Sequence, residues 1–154
     1  MGARTRSTLR KTIAGSIAAA AVSLPLAMAS APAAVAATSR GGCTVTPLAP
    51  DKIGASIRFR IQVRCVKDRI VQVHQQRYEE DAPAGIAGDD FLGQTFFPVR
   101  TFAGPGTVIL TSTIPMPNTE RGAEEVYQRV RFRVASIGGV TAFTAFERSV
   151  TRVF

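Results

Sequence analysis

The chain has 154 residues, with 19 basic against 11 acidic side chains and a formal charge of +8, but only two cysteines, one histidine and no tryptophan. A single histidine and two cysteines without CxxC or HxxxH spacing argue against a zinc centre, and no phosphate-cradling glycine loop is present. Most cofactor chemistry is thereby disfavoured, and no cofactor is implied.

The opening stretch MGARTRSTLRK carries Arg4, Arg6, Arg10 and Lys11 without an acid, and an alanine-rich apolar run follows from Thr12 to Ala29. Small-x-small sites come next at Ala27-Met28-Ala29, Ala31-Pro32-Ala33 and Ala34-Val35-Ala36, as they do where a secretory signal peptide ends. Residues 1–36 are therefore predicted to be a Sec-type signal, cleaved after Ala36, and the protein to be secreted. Ser16, Ser23 and Pro25 interrupt the run, which falls short of the ~20 strongly apolar residues of a membrane span. No two arginines are adjacent, which leaves a twin-arginine signal unsupported, and the SRGG before Cys43 does not suit a lipid-anchored cysteine. Loss of the leader removes four basic residues and no acid, so the 118 residues that remain carry +4 and suit one compact domain. Arginine outnumbers lysine 16 to 3, which with the alanine-rich leader points to a high-GC bacterial genome.

Residues 37–42 read as a short polar leader to a domain spanning 43–154. Cys43 and Cys65 are symmetric about Gly54, inside the turn-rich PLAPDKIGA. A hairpin centred there sets Cys43 opposite Cys65 and Val45 opposite Val63, a cross-strand pairing that meets disulfide geometry. An even cysteine count in an exported chain reads the same way.

IRFRIQVRC then alternates strictly, with Ile57, Phe59, Ile61, Val63 and Cys65 on one face and Arg58, Arg60, Gln62 and Arg64 on the other, a half-buried strand. In RIVQVHQQR, Val71 and Val73 point inward while Gln72, His74 and Gln76 point outward, which makes His74 a solvated strand histidine. The segment YEEDAPAGIAGDD gathers Glu79, Glu80, Asp81, Asp89 and Asp90 in a loop. Such oxygen ligands could hold calcium, and two carboxylates could serve a glycosidase. The spacing matches no EF-hand and a tryptophan-free chain offers few sugar platforms, so a solvated loop is favoured and a carboxylate-dependent hydrolase is only a distant alternative.

TFFPVRTF contains Pro98, which lacks an amide hydrogen and suits an edge strand. GTVILTSTI follows, then VYQRVRFRV, where Arg129, Arg131 and Arg133 form a comb on one face. The final stretch VTAFTAFERSVTRVF drifts out of alternation. With a turn of about three residues at Gly138-Gly139, Phe132 would face Phe146 and Arg131 would face Glu147.

About seven short strands with turn-rich spacers predict an all-β fold, an antiparallel two-sheet sandwich with immunoglobulin-like topology. The missing tryptophan and closely spaced cysteines limit that likeness to architecture. No nucleophile motif accompanies His74, which favours a non-catalytic binding module. Basic strands and acidic loops make an anionic cell-surface polymer the natural partner of Arg129, Arg131, Arg133, Arg58, Arg60 and Arg64, because guanidinium forks suit phosphate, sulfate and carboxylate. Self-association through acidic loops is a second way to satisfy the comb, and an ordinary solvated sheet face is the simplest account of it. The alternative function is an exported inhibitor or effector presenting loop 79–92 or 115–123 to a protein partner.

Overall fold

The computed structural model describes residues 36–80, 88–117 and 124–154. Residues 1–35 of the predicted leader, residues 81–87 of the acidic segment and residues 118–123 lie outside them.

Eleven strand segments run in chain order: β1 (Thr38–Arg40), β2 (Cys43–Pro47), β3 (Asp51–Ile53), β4 (Ser56–Cys65), β5 (Arg69–Glu79), β6 (Asp90–Phe102), β7 (Gly106–Pro115), β8 (Glu125–Ser136), β9 (Gly139–Val140), β10 (Glu147–Arg148) and β11 (Arg152–Val153). They form two antiparallel sheets packed as a sandwich. In the first, β2 and β3 lie end to end along one edge of β4, β1 flanks β2, and β7 takes the other edge of β4. In the second, the order is β6-β5-β8, with β9, β10 and β11 succeeding one another along the far edge of β8. The eleven segments thus fill about the seven strand positions expected, with β1 in addition. Residues 37–42, expected as a leader, supply β1, whose Arg40 pairs with Cys43.

Alternation places the core. Ile61 and Val63 of β4 pack with Val71, Val73, Val130, Phe132 and Val134 of the second sheet, and Ile57 and Phe59 with Val126, all buried. Between the two apolar clusters runs a polar layer. Gln75 donates to Gln128 Oε1 at 2.6 Å, Ser112 donates to Gln75 Oε1 at 2.7 Å, and Gln128 Nε2 donates to the carbonyls of Leu48 and Arg60 at 2.7 and 2.8 Å. Both carboxamides thus donate and accept within the layer, which is what makes a buried amide tolerable.

Cys43 pairs with Cys65 and Val45 with Val63, and the two sulfurs lie at disulfide distance, 2.14 Å. The turn is not centred on Gly54, however. Ile53 pairs with Ser56, so the two-residue loop is Gly54-Ala55, with Gly54 at φ +58 as the first position of a type II′ turn requires. One extra residue at Leu48-Ala49-Pro50 then shifts the register back and brings the cysteines face to face.

The last hairpin departs from expectation. Its turn is Ile137-Gly138, Ser136 pairs with Gly139, and Glu147 sits opposite Val130 rather than Arg131. From Gly139 to Arg152 the segment advances thirteen residues while β8 retreats ten, from Ser136 to Val126, so it carries extra residues in bulges. Hydroxyl side chains make this possible. Thr141, Thr144 and Ser149 each donate the backbone N–H to a β8 carbonyl, of Val134, Phe132 and Gln128 respectively. Each also accepts the N–H of that same β8 residue on its hydroxyl.

Candidate functional site

The register of β5 against β8 builds the outer face of the second sheet row by row: Gln72 lies opposite Arg133, His74 opposite Arg131, Gln76 opposite Arg129 and Tyr78 opposite Tyr127. Strand alternation sends the intervening valines and Phe132 to the core, so the three arginines share the outer face as the comb requires. On one flank, β6 adds Phe96 beside His74, Gln94 beside Gln76 and Phe91 beside Tyr78. On the other, the bulged segment after β9 lays Phe143 and Phe146 against the guanidinium groups.

Rings and arginines interleave at close range. The Arg131 guanidinium carbon is 4.9 Å from the ring centre of Phe143 and 4.7 Å from that of Phe146. Arg129 lies 4.8 Å from Phe146, and Arg133 5.1 Å from Phe143. The negative face of an aromatic ring attracts a cation, which answers how three like charges stand in one row. Neutral acceptors add to it: Arg131 Nε donates to His74 Nδ1 at 3.0 Å, and Arg133 Nε donates to Gln72 Oε1 at 2.8 Å. Among the described residues none of the three arginines is ion-paired to a carboxylate.

His74 is not the solvated residue that alternation suggests. It points outward, yet only 3% of it is exposed. Phe96 stacks on its ring at 4.0 Å between centroids, and Phe146 meets it edge-on at 5.4 Å. Since an arginine N–H can only donate, Nδ1 carries no proton, and Nε2 donates to Gln94 Oε1 at 3.0 Å. Burial, with the neighbouring Arg131 charge, holds the pKa of the imidazole below its ordinary value against the pull of the Gln94 bond.

At the far end of the face the charges are paired. Arg148 lies 3.6 Å above the Tyr127 ring and donates to Glu80 at 2.6 Å. Burial pushes the Glu80 carboxyl up, but Thr151 and Arg148 together hold it below its ordinary value. The Tyr127 hydroxyl donates to Asp89, and burial first, then that carboxylate, raises its pKa.

The acidic segment is therefore dispersed. Glu79 turns inward and is 3% exposed, Glu80 binds Arg148, Asp89 accepts from Tyr127, Asp90 is exposed at the start of β6, and Asp81 lies outside the described residues. Among the described residues no group of three metal-ligating side chains comes together.

Arg58, Arg60 and Arg64 stand on the outer face of the other sheet. Asp51, directly across from Arg58, accepts from its guanidinium through both carboxylate oxygens and lies 3.5 Å from Arg60. The Arg58 hydrogen bond holds the Asp51 carboxyl below its ordinary value, against burial. Only Arg64 is left exposed there, so the six arginines singled out in the sequence do not form one surface. The aromatic half of the arginine face escaped sequence reading. Its signal was the phenylalanines of TFFPVRTF and AFTAF, whose spacing fits no single strand period. No protein-family model and no curated protein matches the chain.

Proposed function

We propose that this protein is an exported, non-catalytic binding module that takes an anionic polymer on the outer face of its second sheet. The observation that carries the reading is the row Arg129, Arg131 and Arg133, each set against a phenylalanine ring, with Arg131 and Arg133 also bonded to His74 and Gln72, and none joined to a described carboxylate. Where a guanidinium donates through Nε, as in Arg131 and Arg133, its four terminal N–H groups remain as donors that suit phosphate, sulfate or carboxylate oxygens. The exposed rings of Phe91 and Phe96, each 54% exposed, give flat apolar area beside the charges. That pairing favours a chain whose units carry both a charge and a ring.

Export rests on the charged, alanine-rich leader with its small-residue cleavage sites and on the two cysteines at bonding distance. An immunoglobulin-like topology accounts for the division into a sheet around β4 and a sheet around β5 and β8, with the chain crossing between them after β4, β6 and β7.

Chromatography on a heparin or polyphosphate column tests the function. Wild-type protein should be held at low salt and released as salt rises, because binding that displaces counterions weakens with ionic strength. Replacing Arg129, Arg131 and Arg133 together by glutamine should abolish retention while thermal unfolding stays cooperative. Equal elution of both proteins would sink the proposal.

A further inference from the structure

The edge of a β-sheet presents unpaired N–H and C=O groups, and folded proteins blunt such edges. Three of the edges here are blunted by identifiable devices. β6 carries Pro98 and two register shifts against β5. The chain along β8 is bulged throughout. The outer edge of the first sheet is cut into β1, β2 and β3, of three, five and three residues.

β7 has none of these protections. Its ten residues, GTVILTSTIP, pair with β4 in unbroken register from Pro115 opposite Ser56 to Gly106 opposite Cys65. They include no charged side chain, and proline occurs only at the last position. Six of them are β-branched, which favours extended pairing. The other edge of β7 pairs with no described strand.

We infer that β7 is the pairing edge of a symmetric dimer, in which two copies join β7 to β7 antiparallel and fuse their first sheets across a two-fold axis. The occupant is a second copy because β7 itself meets each requirement the edge sets. Thr107, Ile109, Thr111 and Thr113 stand on the outer face, while Val108, Leu110, Ser112 and Ile114 are more enclosed. Self-pairing that matches these faces must centre on a residue rather than between two. Centring on Leu110 sets Thr107 against Thr113 and Ile109 against Thr111, and leaves Pro115, which has no amide hydrogen, beyond the ladder. Such cross-strand pairs are favourable, and one self-complementary patch suffices for a closed dimer.

Charge agrees. A positively charged chain meeting its own copy is repelled wherever arginines face each other, and β7 contributes none. On adjacent β4, Arg58 and Arg60 sit on Asp51. Exposed Arg64 lies beside Thr107 at one end of the strand, so antiparallel symmetry carries the two copies of it to opposite ends.

Sedimentation velocity over a wide concentration range tests the dimer, with Ile109→Lys/Thr111→Lys as the variant because both side chains are exposed. Wild type should pass reversibly from monomer to dimer, and the double variant should have a dissociation constant raised by at least ~10-fold. Hydrogen exchange of residues 106–115 should slow with concentration in the wild type. The Arg129, Arg131 and Arg133 glutamine variant should dimerise like wild type, which separates this interface from the anion-binding face. A wild type that is monomeric throughout, a dimer indifferent to the lysines, or exchange in 106–115 that ignores concentration overturns the inference. The exchange measurement needs no variant and stands if the lysine protein fails to fold.

Discussion

Arg131 Nε donates to His74 Nδ1 at 3.0 Å, so the comb is anchored to an imidazole that must stay neutral to accept the bond. Protonation would convert the acceptor into a donor and set a second positive charge against the guanidinium. Burial lowers the pKa of His74 below its ordinary 6.5 in the folded state. The unfolded chain therefore binds the proton more readily, so this contribution is complete above pH 6.5 and is lost as pH falls from there toward the folded-state pKa. The His74 ring signals should titrate in NMR with a midpoint below 6.5. Urea midpoints should drop more steeply between about pH 6.5 and pH 5 in wild type than in His74→Gln, which keeps an acceptor but does not titrate. A midpoint at or above 6.5 would contradict the assigned hydrogen bond.

The hydroxyl ladder along β8 makes a separate prediction. Thr144 is buried, and its Oγ1 accepts the Phe132 N–H at 3.1 Å. Thr144→Val keeps the shape but leaves that amide without its partner, a loss of about 1–3 kcal/mol. Thr101 of β6 is exposed, and the same exchange there, Thr101→Val, should change stability by no more than about 0.5 kcal/mol. Equal effects in denaturant titrations would show that the bulged segment is held by its backbone alone.

The cysteine pair closes a loop with a sequence separation of 22. By the chain-entropy account a loop of that size contributes about 3 kcal/mol. Intact mass should rise by two hydrogens on reduction, and the reduced protein should unfold at a correspondingly lower urea concentration. Two thiols that alkylate freely without reductant would remove the disulfide from the fold.

Legibility from sequence followed the period-two signal. Where alternation was strict, as in β4 and in the arginine comb, the buried and exposed faces and the central strand positions could be read directly. The pairing of Cys43 with Cys65 was also legible, but for an incomplete reason. Symmetry about Gly54 coincided with a register that the structure reaches through a turn at Gly54-Ala55 and an extra residue before Asp51. Where an extra residue enters, alternation fails and takes register with it, which is why Glu147 fell opposite Val130 and why Phe143 and Phe146 were not placed over the arginines. Alternation also reports only which way a side chain points. It cannot show that Phe96 and Phe146, far from His74 in the chain, would cover an outward residue.

Gln128 explains how the extra residue in the first sheet is held. Bulging at Leu48-Ala49-Pro50 interrupts the ladder between β2 and β3, and interrupted carbonyls need partners when they face a core. Gln128 reaches across the sandwich from β8 and donates both amide hydrogens, one to Leu48 O and one to Arg60 O, while Gln75 donates to its Oε1. Leu48 N–H donates in turn to Arg60 O at 2.9 Å, closing the bulge. Gln128→Leu should therefore strip the partner from the Leu48 carbonyl and from the Gln75 amide, while Arg60 O keeps the Leu48 N–H. At about 1–3 kcal/mol for each unsatisfied group, the expected loss is at least ~2 kcal/mol. The bulge also sets the cysteine register, because continuing the turn's pairing without it would place Cys43 opposite Val66. Refolding of the reduced variant under oxidising conditions should then form the Cys43–Cys65 bond more slowly than wild type, measured by quenching free thiols over time. Gln128→Glu should share the defect at neutral pH, since an ionised carboxylate donates no hydrogen bond. Wild-type stability in Gln128→Leu, or unchanged disulfide formation in both variants, would show that the bulge holds without the carboxamide.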